Sequence, residues 1–255
     1  MFKKLVKYEF QSVGKWYFGI YAGTLALATV LAFWVQAISS RSDQPEIAEG
    51  IFVGSAFMIF GILVAALFLS TFLMIINRFR KNVYGREGYL TMTLPVTEHQ
   101  IILSKLFASL VWYLLSVVTA VLSIGIVMTV LLINTGEVLP ELQVVLEQIN
   151  VASLATYLID SFIGAITWIL LIYFSVSVGQ LFKDHRLLFA IITYIGITTV
   201  VGILTNLLYF NNLEGMVGSS LSLYPNPVMV LINIILAFAY YFGTHYIMTK
   251  KLNLQ

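Results

Sequence analysis

The sequence predicts an all-α integral membrane fold: six transmembrane helices, an N-terminal amphipathic helix lying in the inner interface, and both termini cytoplasmic. Three observations carry this reading. Apolar residues gather into six long stretches at Tyr17–Ile38, Ile51–Ile76, Leu106–Ile133, Ser153–Phe182, Leu187–Leu208 and Val228–Met248. Each reaches the ~20 residues that a helix needs to cross a ~30 Å hydrocarbon core. Hydrophobic residues make up 60% of the 255 and charged residues 10%, with a mean hydropathy of +0.93, so most of the chain is suited to lipid rather than water. Finally, thirteen of the fourteen Lys and Arg fall on one side of the six stretches, and seven of the twelve acids fall on the other.

That charge pattern sets the orientation. Lys3, Lys4, Lys7 and Lys15 precede the first span, and Arg78, Arg80, Lys81 and Arg86 follow the second, with Lys105 just beyond. Lys183 and Arg186 separate spans four and five, and Lys250 and Lys251 follow span six. The opposite loops carry Asp43, Glu46, Glu49, Glu137, Glu141, Glu147 and Glu214, with Arg41 as their one base. Lys and Arg accumulate on the cytoplasmic side, which puts both termini and the two basic loops there. The formal charge of +2 is too small to imply nucleic-acid binding, and the bases hug the membrane, where anionic lipid headgroups are their natural contacts.

Residues 1–16 do not read as a span. Phe2, Leu5, Val6, Phe10, Val13 and Tyr17 share one helical face, and Lys4, Lys7, Gln11 and Lys15 share the other. Such a stripe predicts a helix lying in the interface with lysines at headgroups, the alternative being a plain basic flank. The first span is too long for the apolar core of an ordinary signal peptide, so it reads as an uncleaved helix. Residues 39–50 form a short acidic outer loop. The outer segment 134–152 differs, because Leu139, Leu142, Val145, Leu146 and Ile149 make an apolar stripe behind Pro140. It suits the outer leaflet, a second subunit or the mouth of a pore, and the sequence does not choose. The last outer segment, 209–227, interleaves apolar residues with Gly215, Gly218, Ser219, Ser220 and Ser222 and reads as a re-entrant element, with Pro225 and Pro227 marking the start of span six. Small residues recur four apart at Gly19/Gly23, Ala22/Ala26, Ala28/Ala32, Gly61/Ala65 and Ser175/Gly179, a spacing that lets helices approach closely.

Several function classes are disfavoured. Ion-coupled carriers place ionisable groups part-way across the membrane. Here Asp160 in span four and His245 near the inner end of span six are the candidates, alongside the uncharged Asn206 and Asn233. A span beginning at Tyr157 places Asp160 at the interface, where a carboxylate costs little. No internal repeat of the secondary-transporter kind is apparent. There are no cysteines, which excludes disulfides and thiolate-held metals. No H-E-x-x-H, G-x-S-x-G or G-x-x-x-x-G-K-[ST] occurs, so neither catalysis by those motifs nor ATP binding by a P-loop belongs to this chain. If it moves a substrate uphill, the energy comes from another polypeptide.

The motif that stands out lies in the longest cytoplasmic loop, within residues 77–105. A basic run leaves the membrane, Glu87-Gly88-Tyr89-Leu90 follows, then Pro95-Val96-Thr97, then Ile101-Ile102-Leu103-Ser104-Lys105. Thr97 is placed to cap a helix running into span three. Tyr89, Leu90, Met92 and Leu94 are apolar residues on the water side, which points to a docking surface or to a segment folded onto the inner leaflet.

In these residues and in its layout the chain resembles the membrane-spanning, or permease, subunits of ABC-2-type transporters. The resemblance implies that this loop is a coupling helix seated in a cleft on a separate ATP-binding subunit. By that likeness Arg86, Glu87, Gly88, Tyr89, Leu90, Pro95, Val96 and Thr97 form the main contact, and Lys183, Asp184, His185 and Arg186 a lesser second one. It further implies a single transmembrane domain over 1–255 in a bacterial plasma membrane, paired with a second permease chain, identical or not. The chain itself would hold no cofactor, ATP and Mg²⁺ being bound by the partner. Export of an amphiphilic, peptide or lipid-like substrate is the implied function. A non-transporting membrane assembly or sensor component is the alternative of a different class.

Overall fold

A computed structural model describes residues 2–39, 46–85, 88, 96–135, 151–182, 184–213 and 227–250. Within them lie six long helices: α1 (Phe2–Ser39), α2 (Glu46–Phe79), α3 (Glu98–Thr135), α4 (Val151–Gly179), α5 (Arg186–Leu213) and α6 (Pro227–Lys250). All six are long and apolar enough to cross a membrane. Among the described residues all regular structure is helical, and the six candidate spans make the chain a multi-pass membrane protein.

Local chemistry sets several helix boundaries. Thr97 caps α3 as its sequence predicts, accepting a hydrogen bond from the Gln100 backbone N–H at 3.4 Å. Thr97 and Gln100 stand at the spacing of a capping box. Pro227 opens α6, where its missing N–H leaves no carbonyl unpaired. At its far end α2 does not stop but widens into a π-helical turn, Arg80–Tyr84, closed by the Gly85 N–H on the Arg80 carbonyl at 3.0 Å. Only glycine fits that closure, because a Cβ on Gly85 would lie 2.7 Å from the Lys81 carbonyl oxygen.

Hydroxyls inside the spans are satisfied mostly within their own helix. Thr24, Thr71, Ser116, Thr119, Ser123, Thr167, Ser177 and Thr244 each donate to the carbonyl four residues back at 2.8–3.0 Å. In hydrocarbon no water would otherwise accept those protons.

The chain separates into two compact units. One comprises Val6–Met74 and Val111–Gln148. Its core is aromatic: Tyr17, Tyr21, Leu67, Trp112 and Ala120 are buried, with Phe10, Val13, Ile20, Val64, Phe68 and Met74 packed around them. Trp112 stacks on Tyr17 at 4.4 Å and 5°, and the Phe10, Phe18 and Tyr21 rings surround it. Beside the rings sits a polar knot. Ser116 Oγ lies 3.0 Å from the Tyr21 hydroxyl and 2.9 Å from Thr71 Oγ1, and Tyr21 also donates to the Trp112 carbonyl at 2.8 Å. This knot ties α1, α2 and α3 together.

The N-terminal stretch departs from a free-standing interfacial segment. It runs into the first span as one uninterrupted helix, and although Lys4, Lys7 and Lys15 are exposed as expected, Phe10 and Val13 pack on the aromatic core. Burial against rings has replaced burial in acyl chains. Glu9, 8% exposed, is also drawn inside.

The second unit comprises Met1–Leu5, Ile75–Leu110 and Ile149–Gln255. Here α4 is central and packs on both α5 and α6. Of its most apolar stretch 61% is buried, against 6% for α5, so α4 forms the core and α5 an outer wall. Gly179 makes the α4–α5 approach possible, since a Cβ there would lie 2.5 Å from the Arg186 carbonyl oxygen and 2.7 Å from Ala190 Cβ.

Candidate functional site

The loop singled out in the sequence lies in the second unit, and both chain segments that flank it are held. On the incoming side Phe79, Val83 and Tyr84 are buried. The Tyr84 hydroxyl donates to Ser177 Oγ at 2.7 Å, and Phe79 stacks on Tyr173 at 4.0 Å and 10°. Ser177 in turn donates to the Tyr173 carbonyl, and the Tyr173 hydroxyl lies 2.8 Å from Ser109 Oγ. A single pair of residues one turn apart on α4, Tyr173 and Ser177, thus grips the end of α2 and the first third of α3.

On the outgoing side His99 Nδ1 lies 2.6 Å from the Tyr241 hydroxyl, and the His99 and His245 rings stack at 3.9 Å and 12°. These contacts bind the start of α3 to α6. Ile101, Ile102, Ser104 and Lys105 are buried behind them. Lys105 is 4% exposed, so it belongs to the packed interior and not to the exposed basic loop.

Of the eight residues expected in the main contact, three are among those described. Gly88 is buried, and its N–H donates to the Gly85 carbonyl at 2.8 Å. Val96 is half-buried, and Thr97 is exposed and caps α3. Arg86, Glu87, Tyr89, Leu90 and Pro95 lie outside the described residues, as do most of segment 134–152 and residues 214–226.

The described residues around the second expected contact form a clip between α4 and α5. The N–H groups of Gln180, Leu181 and Phe182 each donate to a carbonyl three residues back at 3.0–3.4 Å, and Phe182 stacks on Phe189 at 3.8 Å. Arg186 Nη1 donates to Gln180 Oε1 at 3.3 Å. His185 sits just ahead of α5 with φ 54°, the left-handed region, and its carbonyl accepts from the Phe189 N–H. Asp184 and His185 are exposed and Arg186 half-buried, whereas Lys183 lies outside the described residues.

Asp160 lies in the first part of α4. Because α4 begins at Val151, Asp160 stands nine residues in, about 13 Å along the axis. Its Oδ1 is buried without a hydrogen-bond partner.

Sequence reasoning missed the anchors Tyr173, Ser177, Ser109 and Tyr241. Tyr173 and Ser177 share a helix face, a spacing visible in the sequence, but nothing local says that their partners are Phe79 and Tyr84, more than ninety residues earlier. Geometry and sequence together define a multi-pass helical membrane protein with a doubly anchored basic loop. No family model, curated protein or solved structure matches the chain.

Proposed function

We propose that the chain is the membrane-spanning subunit of an ATP-driven exporter of the ABC-2 kind. It would be energised by a separate ATP-binding subunit that docks on residues 86–97 and would work paired with a second permease chain. The basic ends of its helices and both termini are assigned to the cytoplasmic side of a plasma membrane.

The observation that carries this reading is the two-sided anchoring of the loop. A push on a floppy connection dissipates in the connection, whereas a push on a loop whose flanks are fused to packed helices moves those helices. Tyr84–Ser177 and Phe79–Tyr173 hold one flank, and His99–Tyr241 holds the other. Immediately after the loop α3 runs unbroken for 38 residues, about 57 Å. The clip at 180–186 would supply a second, smaller contact. The substrate class that suits a pathway poor in ionisable groups is an amphiphile or a lipid-like molecule.

The test is affinity purification of the full chain from its native membrane in mild detergent. An ATPase of roughly domain size should be recovered with it. Glu87→Lys and Gly88→Leu should then uncouple ATP hydrolysis from export while leaving membrane insertion intact. Recovery of no ATPase would favour the alternative of a non-transporting assembly component, and unaltered coupling in both variants would remove residues 86–97 as the contact.

A further inference from the structure

In the second unit some glycines stand beside open space rather than against a neighbouring helix. A Cβ built on Gly164 of α4 or on Gly202 of α5 meets no heavy atom within 4 Å. Glycine in a span ordinarily lets another helix come close, as Gly179 and Gly243 do, where a Cβ would lie 2.5–2.6 Å from the nearest atom. Gly164 and Gly202 instead line a cleft of about 330 Å³ walled by α4, α5 and α6.

The lining is apolar for most of its area, carries no ionisable acid or base, and includes Thr167, Thr198, Asn233 and Tyr240. The threonine hydroxyls on the walls are satisfied by helix carbonyls, Thr167 by Ile163 and Asn233, Thr198 by Tyr194 and Ile195, and Thr205 by Val201 and Gly202. The Asn233 side-chain amide and the Tyr240 hydroxyl make no hydrogen bond with any described residue. Tyr240 is 7% exposed, and both residues line the cleft. They lie seven residues apart on α6, about 10 Å along one face, Asn233 about 9 Å and Tyr240 about 20 Å from the start of the helix. Facing hydrocarbon, which offers no hydrogen bond, an amide and a phenol without partners would cost free energy that an occupant would return. A neighbouring cleft of about 320 Å³, bounded by α3, α4 and α6, offers no such groups beyond Tyr241, whose hydroxyl is already engaged by His99.

We propose that the α4–α5–α6 cleft is a binding site for an uncharged amphiphile, its elongated apolar body lying along Gly164 and Gly202 and its hydroxyl or carbonyl meeting Asn233 or Tyr240. Lipid tails alone fill space but leave both polar groups unpaired. A charged molecule finds no counter-ion on the walls. Calling the occupant cargo rests on the transporter reading, whereas the binding itself does not.

The experiment uses the full chain alone, without ATP, in phosphatidylcholine vesicles. Two photoreactive probes are compared, a diazirine-bearing twelve-carbon alcohol and the matching alkane without the hydroxyl. The alcohol should label α4–α6 saturably, and Gly202→Leu, which fills the cleft, should abolish the saturable part. Asn233→Leu and Tyr240→Phe combined should weaken alcohol labelling about fivefold, the worth of one hydrogen bond, and leave alkane labelling unchanged. Retained helicity and SDS-unfolding midpoint in Gly202→Ala, a smaller change into open space, guard against misfolding as the cause. Equal labelling by alcohol and alkane, saturable labelling that survives Gly202→Leu, preference for an alkylammonium probe directed at Asp160, or occlusion of the cleft by a second copy of the chain would each overturn the proposal. Because no ATPase is present, failure here leaves the permease reading standing, and failure to recover an ATPase leaves this site standing.

Discussion

The Tyr84 hydroxyl, at the last residue of the π-helical turn, donates to Ser177 Oγ on α4 across 2.7 Å, with Tyr84 only 2% exposed. The acceptor is itself a donor to the Tyr173 carbonyl, so removing one hydroxyl or the other has unequal consequences. Tyr84→Phe takes away one interhelical bond and orphans nothing; its cost should be about 0.6 kcal/mol and no more than ~1.7. Ser177→Ala leaves a buried phenol without its acceptor and should cost about 1–3 kcal/mol. Equilibrium unfolding in SDS measures both. Equal losses would mean that the bond is not formed in the folded protein.

A methyl group at Gly179 has nowhere to go except into the Arg186 carbonyl and Ala190 Cβ. Gly179→Ala should therefore destabilise by about 1–3 kcal/mol, the usual result of overpacking. Gly61→Ala on α2 meets nothing within 4 Å and should be neutral or stabilising by about 0.5–1 kcal/mol, since alanine loses less backbone freedom in a helix. Opposite signs in the same unfolding assay are the expected outcome, and a neutral Gly179→Ala would remove the close α4–α5 contact.

The Ser116 knot is redundant and the Trp112 ring is not. Without the Ser116 hydroxyl, Tyr21 keeps the Trp112 carbonyl and Thr71 keeps the Leu67 carbonyl. Ser116→Ala should cost less than about 1 kcal/mol. Trp112→Ala empties a site enclosed by Phe10, Tyr17, Phe18 and Tyr21 and should cost about 3 kcal/mol or more. A ranking in the other order would show that hydroxyls, not rings, hold that unit.

His185 occupies backbone space that suits glycine or asparagine, at a penalty of about 1–2 kcal/mol for other residues. His185→Gly should leave stability unchanged or raise it by up to about 1 kcal/mol, offset in part by a freer unfolded chain. His185→Val should lower it by more than 1 kcal/mol, roughly the extra strain of a β-branched residue there. Thermal unfolding of the two variants in detergent decides the matter; a stabilising valine would mean that the turn takes another conformation.

The six spans were legible because length and hydropathy are local properties that tertiary packing does not alter. The α3 cap was legible for a similar reason, as Thr97 and Gln100 are three residues apart. Small-residue spacing was a mixed guide. Ala28 and Ala32 are both buried, and Ser175 and Gly179 serve close packing, but Gly19, Gly23 and Gly61 face open space. Spacing tells that a groove exists and not that anything enters it. The anchors of the basic loop were hidden altogether. Tyr84 finds Ser177, and His99 finds Tyr241, across sequence separations that no periodicity encodes.

The widened turn at Arg80–Tyr84 has a consequence for the loop beyond it. It spends one residue more than an α-helical turn would, which offsets the phase of everything downstream by about 100° around the helix axis. Rewinding the same residues to ordinary α pitch would swing the Tyr84 ring about a quarter-turn off α4, whereas deleting one residue between Lys81 and Val83 would let the helix regain that pitch with Tyr84 still turned toward Ser177. The extra residue held in that turn, more than any one side chain, sets the compass bearing on which the chain continues past Tyr84.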